Sequence, residues 1–333
     1  ASDSLVEVAA EQVRQLVDGL GPLEPLLADP AVSEVMVNGP GQPVWVERHG
    51  ALTATDVVLD GALVALAVER IVGPLALRVD RSSPTVDARL PDGSRVNVVV
   101  PPLAIDGPCI TIRRFGARAV ALDELCPADV ADLLRACVAE RRNVVAIGGT
   151  GAGKTTFLNA LAAAIPGDER IVTVEDAAEL RLPHPHVVRL ECRPPTPDGT
   201  GGVTVRDLVR NALRMRPDRL LVGEVRGAEA LDMLQAMNTG HEGALATCHA
   251  NSPIDALARL ETMALFAEVG LPLTAVRAQL EAAVDGVVHV ARRPGGRRRV
   301  IEVAEVVPGD GRTRVLADAT AVRAAPSRPA RRR

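Results

Sequence analysis

Aromatic side chains are almost missing: of 333 residues none is Tyr, one is Trp and three are Phe. A core without them is built from Val, Leu, Ile and Ala, and single-stranded nucleic acid loses the flat faces on which its bases stack. Cysteine is sparse. Cys109, Cys126, Cys137, Cys192 and Cys248 are odd in number and nowhere spaced as CxxC, which excludes a disulfide framework and a zinc ligand set and points to a reduced compartment. No apolar stretch approaches the ~20 residues of a membrane span, and nothing resembles a secretory signal, so the expectation is a soluble cytoplasmic protein. An excess of positive charge is missing too. The net charge is −4, and nucleic acid is an unlikely partner on that ground.

What is present begins with Gly148-Gly149-Thr150-Gly151-Ala152-Gly153-Lys154-Thr155-Thr156, which fills every fixed position of GxxxxGK[ST]. Residues 143–147 form an apolar, β-branched run suited to a buried strand, and residues 155–165 read as a helix halted by Pro166-Gly167. A strand entering and a helix leaving are the context this pattern requires. Glycines let successive backbone N–H groups converge on one centre, and the helix N-terminus adds its positive end. The implied ligand is a nucleoside triphosphate, ATP with Mg²⁺: Lys154 supplies a point charge, and the Thr155 hydroxyl completes the metal shell.

Two further strands, 170–174 and 219–223, end in Glu175-Asp176 and Glu224. Ligands of open parallel sheets gather at the carboxyl ends of strands, so these carboxylates are expected to converge on the triphosphate, to hold Mg²⁺ (Thr155, Glu224) and to orient water. Asp176 and Glu179 serve the site or merely solubility. Two histidines in Gly-rich settings, His241 and His249, flank another short apolar strand and are read as γ-phosphate reporters.

The chain is long enough for two domains. An α+β domain over 1–116 carries an opening helix (5–20), a hairpin around Asn38-Gly39-Pro40-Gly41, a helix at 63–71, a second hairpin turning at Pro91-Asp92-Gly93-Ser94, and a last strand at 109–113. A linker at 117–120 leads to an α/β domain over 121–318 with a parallel sheet. Residues 319–333, with Arg323, Arg328, Arg331, Arg332 and Arg333, read as a disordered basic tail. Arg206, Arg210 and Arg214 fall four apart on a helix, a stripe for a neighbouring subunit or for solvent.

The order of four motifs resembles one family: the phosphate loop; Val174-Glu175-Asp176; Arg216-Pro217-Asp218 into Val222-Gly223-Glu224-Val225-Arg226-Gly227; and Gly240-His241-Glu242-Gly243 through His249-Ala250-Asn251. These are the secretion-type ATPases of type II and type IV secretion and of type IV pili. The run from Val86 to Asn97 with Thr111-Ile112-Arg113-Arg114-Phe115 looks like the Tad/CpaF branch of Flp pilus assembly, as does the absence of a CxxC zinc module. The resemblance implies a RecA-like motor domain in a homohexameric ring, docked peripherally on the inner membrane against a polytopic platform protein. It assigns Glu175 as catalytic, Glu224 as the Walker B carboxylate, His241 and His249 as the His box, and Arg95 and Arg113 as the matching candidates for arginine fingers, with Arg89 and Arg114 as their neighbours; adjacent strand residues point to opposite faces, so only one of Arg113 and Arg114 can face the phosphate. The alternatives are a RecA-like nucleic-acid translocase or conjugal DNA-transfer ATPase, and an ATP-gated scaffold.

Overall fold

The computed structural model describes residues 19–331 except 49, 76, 115–119, 194, 196–198, 294–295 and 310. The expected helix at 5–20 and most of the expected linker lie outside the described residues. The chain divides into two compact units, residues 1–118 with 294–297 and residues 119–293 with 298–333.

The first unit follows α1 (Glu24–Ala28), β1 (Val32–Val37), β2 (Pro43–Arg48), β3 (Ala51–Val58), α2 (Gly61–Val72), β4 (Thr85–Arg89), β5 (Arg95–Val99) and β6 (Cys109–Arg113). Its six strands form one antiparallel sheet in the order β3-β2-β1-β6-β5-β4. Alternation puts Val35, Val37, Val96, Val98, Ile110 and Ile112 into a core with Val64, Val68 and Ile71 of α2. Asp60 starts α2 by accepting the Leu63 N–H at 2.8 Å. The β4–β5 turn is held by Asp92, whose carboxylate accepts from the backbone N–H and the hydroxyl of Ser94 at 2.8 and 2.7 Å.

The second unit holds α3 (Ala128–Ala139), β7 (Val144–Ile147), α4 (Lys154–Ala162), β8 (Ile171–Glu175), β9 (Val187–Glu191), α5 (Val205–Ala212), β10 (Arg219–Val225), α6 (Glu229–Asn238), β11 (Leu245–Cys248), α7 (Pro253–Leu265), α8 (Leu273–Ala283), β12 (Gly286–Arg292), β13 (Arg298–Val307) and β14 (Arg312–Asp318). Strands β12-β7-β11-β10-β8-β9 are mutually parallel, and β13 and β14 extend the sheet antiparallel at one edge. Helices cover both faces. Val145 and Ile147 pack with α6, α7 and α8, while Val144 and Ala146 pack with α3 and α4.

Three polar features depart from a simple reading of the sequence. At the amino end of the sheet Glu169 is buried between Arg141 and Arg219, bonded to both, with Arg141 Nη1 at 2.9 Å. Arg219 also donates to the Val138 carbonyl at 2.9 Å and Arg141 to the Glu242 carbonyl at 3.1 Å. Removing the carboxylate leaves two guanidiniums in low dielectric, so Glu169→Ala is expected to lose about 3–5 kcal/mol in urea unfolding; a loss below ~1 kcal/mol contradicts this reading of the cluster.

The expected disordered tail is instead docked through residue 331. Buried Asp285 and Glu305 are the cause, because a carboxylate removed from water demands partners: Arg331 reaches Asp285 at 2.6 Å, Arg328 at 3.2 Å, and Ser327 and Arg328 donate backbone N–H groups to Glu305 at 2.8 and 2.7 Å. The arginine stripe is likewise partly spent, since Arg206 and Arg210 both bind Asp232 of α6 at 2.7 Å.

Candidate active site

The phosphate loop joins β7 to α4, and three of its four glycines are dictated by backbone conformation or by space. Gly148, Gly151 and Gly153 have φ of 152°, 69° and 98°, the last in the left-handed region that a side chain resists. A Cβ on Gly148 would collide with the Val290 carbonyl of the adjacent strand. The loop is thus a concave run of backbone opening on the N-terminus of α4, a cradle suited to phosphate oxygens. Beside it lies a cavity of ≈ 410 Å³ lined by Gly148, Gly149, His249, Asn251, Asp255 and Arg259 among others.

Lys154 Nζ is buried and donates to the Gly148 and Gly149 carbonyls at 3.1 Å each. It is also the only lysine among the 38 basic residues of the chain. From it runs a chain of polar contacts across the strand tips. His249 lies 3.3 Å from Lys154 Nζ and 2.9 Å from Glu224 Oε1, and the other Glu224 oxygen takes Arg226 at 2.8 Å. Arg226 continues to Asp176 at 3.4 Å. Burial pushes the Glu224 pKa up, but the Arg226 hydrogen bond and charge, with His249 and Lys154, outweigh it and hold the carboxyl below its ordinary value. His249 is lowered by burial and by the Lys154 charge, which favours a neutral ring.

Glu175 is built differently. β8 lies beside β10 with Val174 opposite Val222, so Glu175 falls next to Gly223, where a Cβ would come within 2.7 Å of the Glu175 Cγ. Its Oε2 accepts the Glu179 and Leu180 N–H groups at 2.7 and 2.9 Å, and its Oε1 is buried with no hydrogen-bond partner. Burial dominates, pushing the carboxyl up to about 7. A buried carboxyl with a free oxygen and a pKa near neutrality has the chemistry a proton acceptor needs. Glu179, in turn, lies 3.3 Å from the Thr155 hydroxyl. Among the described residues no three His, Cys, Asp or Glu side chains form a group that could hold a metal ion by themselves.

The structure therefore brings Lys154, Thr155, Glu175, Glu179, Glu224 and His249 together, and it separates His241. β11 stands between the two histidines, and a strand of four residues spans roughly 13 Å. His241 precedes the strand at the amino end of the sheet, where the following Gly243 and Ala244 bond Asn143 just before β7. It does not report a phosphate held at the opposite end. In the first unit Arg114 is committed to the Asp29 and Val32 carbonyls, the latter at 2.9 Å, whereas Arg89, Arg95 and Arg113 occupy one cross-strand row with Glu34 opposite Arg113. Glu229, not anticipated from sequence, accepts the Arg226 and Gly227 N–H groups at 2.6 and 2.8 Å and so fixes the segment after Glu224.

A family model described as "Type II/IV secretion system protein" matches residues 17–322. A putative conjugal transfer protein of Mycobacterium tuberculosis is 43% identical over 314 residues, 90% of this chain and 87% of its own length. Type IV secretion system protein PtlH of Bordetella pertussis is 38% identical over 84% of this chain and 92% of its own. Solved structures share the fold: the ATPase DotB of Legionella pneumophila at TM-score 0.62 and 21% identity, covering 84% of this chain and 78% of its own, and the pilus retraction motor PilT with bound ADP at 0.63 and 22%, covering 86% and 83%. With this order of motifs, this site and these relatives, the chain belongs to the type II/IV secretion system family of ATPases.

Proposed function

We propose that this chain hydrolyses ATP at the strand-tip site and works as the motor subunit of a type II or type IV secretion or pilus machine. The observation that carries the reading is Glu175 Oε1, buried and unpartnered at the carboxyl end of β8, with the Glu175 side chain beside Gly223 of β10. Glu175 takes a proton from water there; Glu224, held ionised, and the Thr155 hydroxyl are the residues that would hold Mg²⁺. An ion held by these residues would offset the negative charge of the phosphates. Lys154 gives up its two carbonyl partners for phosphate, and His249 keeps Lys154 and Glu224 in register. Arg113 and Arg95 act as arginine fingers, a role supported by their shared row and by the diversion of Arg114 to backbone carbonyls. Arg113→Ala is then expected to slow turnover by ~10³-fold with nucleotide affinity kept; an unchanged rate takes Arg113 out of the reaction.

The assembly is a hexameric ring on the inner face of the membrane, seated on a polytopic platform protein. No helix among the described residues is long and apolar enough to cross a membrane. The run from Val86 to Asn97 and the absence of CxxC support the Tad/CpaF branch. A conjugal-transfer role is the second reading, favoured by the 43% identity to a putative conjugal transfer protein of Mycobacterium tuberculosis. The two are separated by turnover measured with duplex DNA: the motor of a protein machine shows no response, and stimulation that falls steeply with salt supports direct DNA handling.

A further inference from the structure

The β12–β13 hairpin carries five arginines, Arg292, Arg293, Arg297, Arg298 and Arg299. β12 runs parallel to β7 with His289 opposite Ile147, so its last residues continue alongside the phosphate loop, past the end of β7. Arg292 and Arg298 oppose one another across the hairpin, which turns both to the same side of the sheet. That side is the loop. Arg292 Nη1 lies 3.9 Å from the position of a Cβ on Gly151, and Arg298 Cγ and Nε lie 2.9 and 3.1 Å from that on Gly153. The Arg298 stem fills the volume a side chain at 153 would need, directly over the N-terminus of α4. Arg299 faces away and donates to the Glu124 carbonyl at 2.7 Å. Arg292 and Arg298 are both exposed, which places their charge at the open rim of the cradle.

We propose that Arg292 and Arg298 are phosphate ligands of the bound nucleotide, supplied by the hairpin of the same chain. The loop itself offers one lysine and backbone N–H groups to a strongly anionic ligand, and a planar guanidinium matches phosphate oxygens in a way an ammonium does not. The assignment rests on reading residues 148–155 as the nucleotide site. A Cβ on Gly153 would displace Arg298 as well as strain the backbone.

The test is calorimetric titration of the full chain with ATP and with adenosine. In the double variant Arg292→Gln, Arg298→Gln, ATP binds about tenfold or more weakly, adenosine binding is unchanged, and the thermal midpoint without nucleotide is kept. Each single variant shows part of the loss, and Arg299→Gln shows none. ATP affinity within about twofold of the parent in the double variant overturns the proposal. Lys154→Ala is measured alongside: if it alone loses ATP, only the arginine assignment fails, and if neither variant loses ATP, the nucleotide site itself is misplaced.

Discussion

Lys154→Ala is expected to abolish ATP hydrolysis, by at least about 10³-fold, and to weaken ATP binding severely, because no second lysine exists to take over its position. Its ammonium is buried in the loop, held by two backbone carbonyls and adjacent to His249. Lys154→Arg is not expected to rescue turnover, since a planar fork does not fit a pocket shaped for a compact point charge. Phosphate-release assays paired with nucleotide titration decide the matter. Hydrolysis within tenfold of the parent in either variant is incompatible with this site.

Glu175→Gln separates chemistry from stability. Turnover is expected to fall by roughly 10²–10⁴-fold, the range for loss of a positioned proton acceptor, while ATP binding persists. Stability moves the other way. The folded-state carboxyl is raised from 4.5 to about 7 by burial, so the folded protein holds a proton that the unfolded chain releases between those values. Stability contributed by that proton is complete below 4.5 and is lost as pH rises through 7. At about 1.4 kcal/mol per unit, the rise from 4.5 to about 7 lets Gln at this position gain about 3–4 kcal/mol over the parent at pH 8 and almost nothing at pH 4.5. It still accepts the Glu179 and Leu180 N–H groups. Thermal melts at the two pH values read this directly, and a destabilised variant at pH 8 rejects the account of Glu175 as a strained buried acid.

Much of the site was legible because it follows from local rules. The glycines of the phosphate loop, the strand before them and the helix after them are adjacent in sequence, and Glu175 and Glu224 fall at strand ends where parallel sheets gather ligands. His249 follows the same logic. His241 does not, because the short apolar strand between the histidines, visible in the sequence, puts them at opposite ends of the sheet. The sequence leaves Arg113 and Arg114 equivalent, and only the structure shows Arg114 bound to the Asp29 and Val32 carbonyls. The hairpin arginines announce themselves only as a basic cluster around Pro294-Gly295-Gly296, with nothing local to say that the hairpin lies along the loop.

The fold shows the same division. Hairpins with turn residues at Asn38–Gly41 and Pro91–Ser94 could be read directly. β3 could not, since Ala51–Val58 is an edge strand exposed along most of its length and lacks an apolar alternation. The antiparallel addition of β13 and β14 to a parallel sheet is a tertiary choice that strand composition does not encode. The docked C-terminal segment was missed because its arginines look solvated until the buried Asp285 and Glu305 are located.

The central claim, that a nucleotide's phosphates sit against Lys154, is tested most directly by amine acylation read by mass spectrometry. One lysine makes the readout unambiguous: apart from the chain's amino terminus, Lys154 is the single amine available. Saturating ATP with Mg²⁺ is predicted to slow acylation of Lys154 by about tenfold or more, with the amino terminus unaffected in the same sample. Equal acylation of Lys154 with and without nucleotide, under conditions where ATP is shown to be bound, contradicts the account.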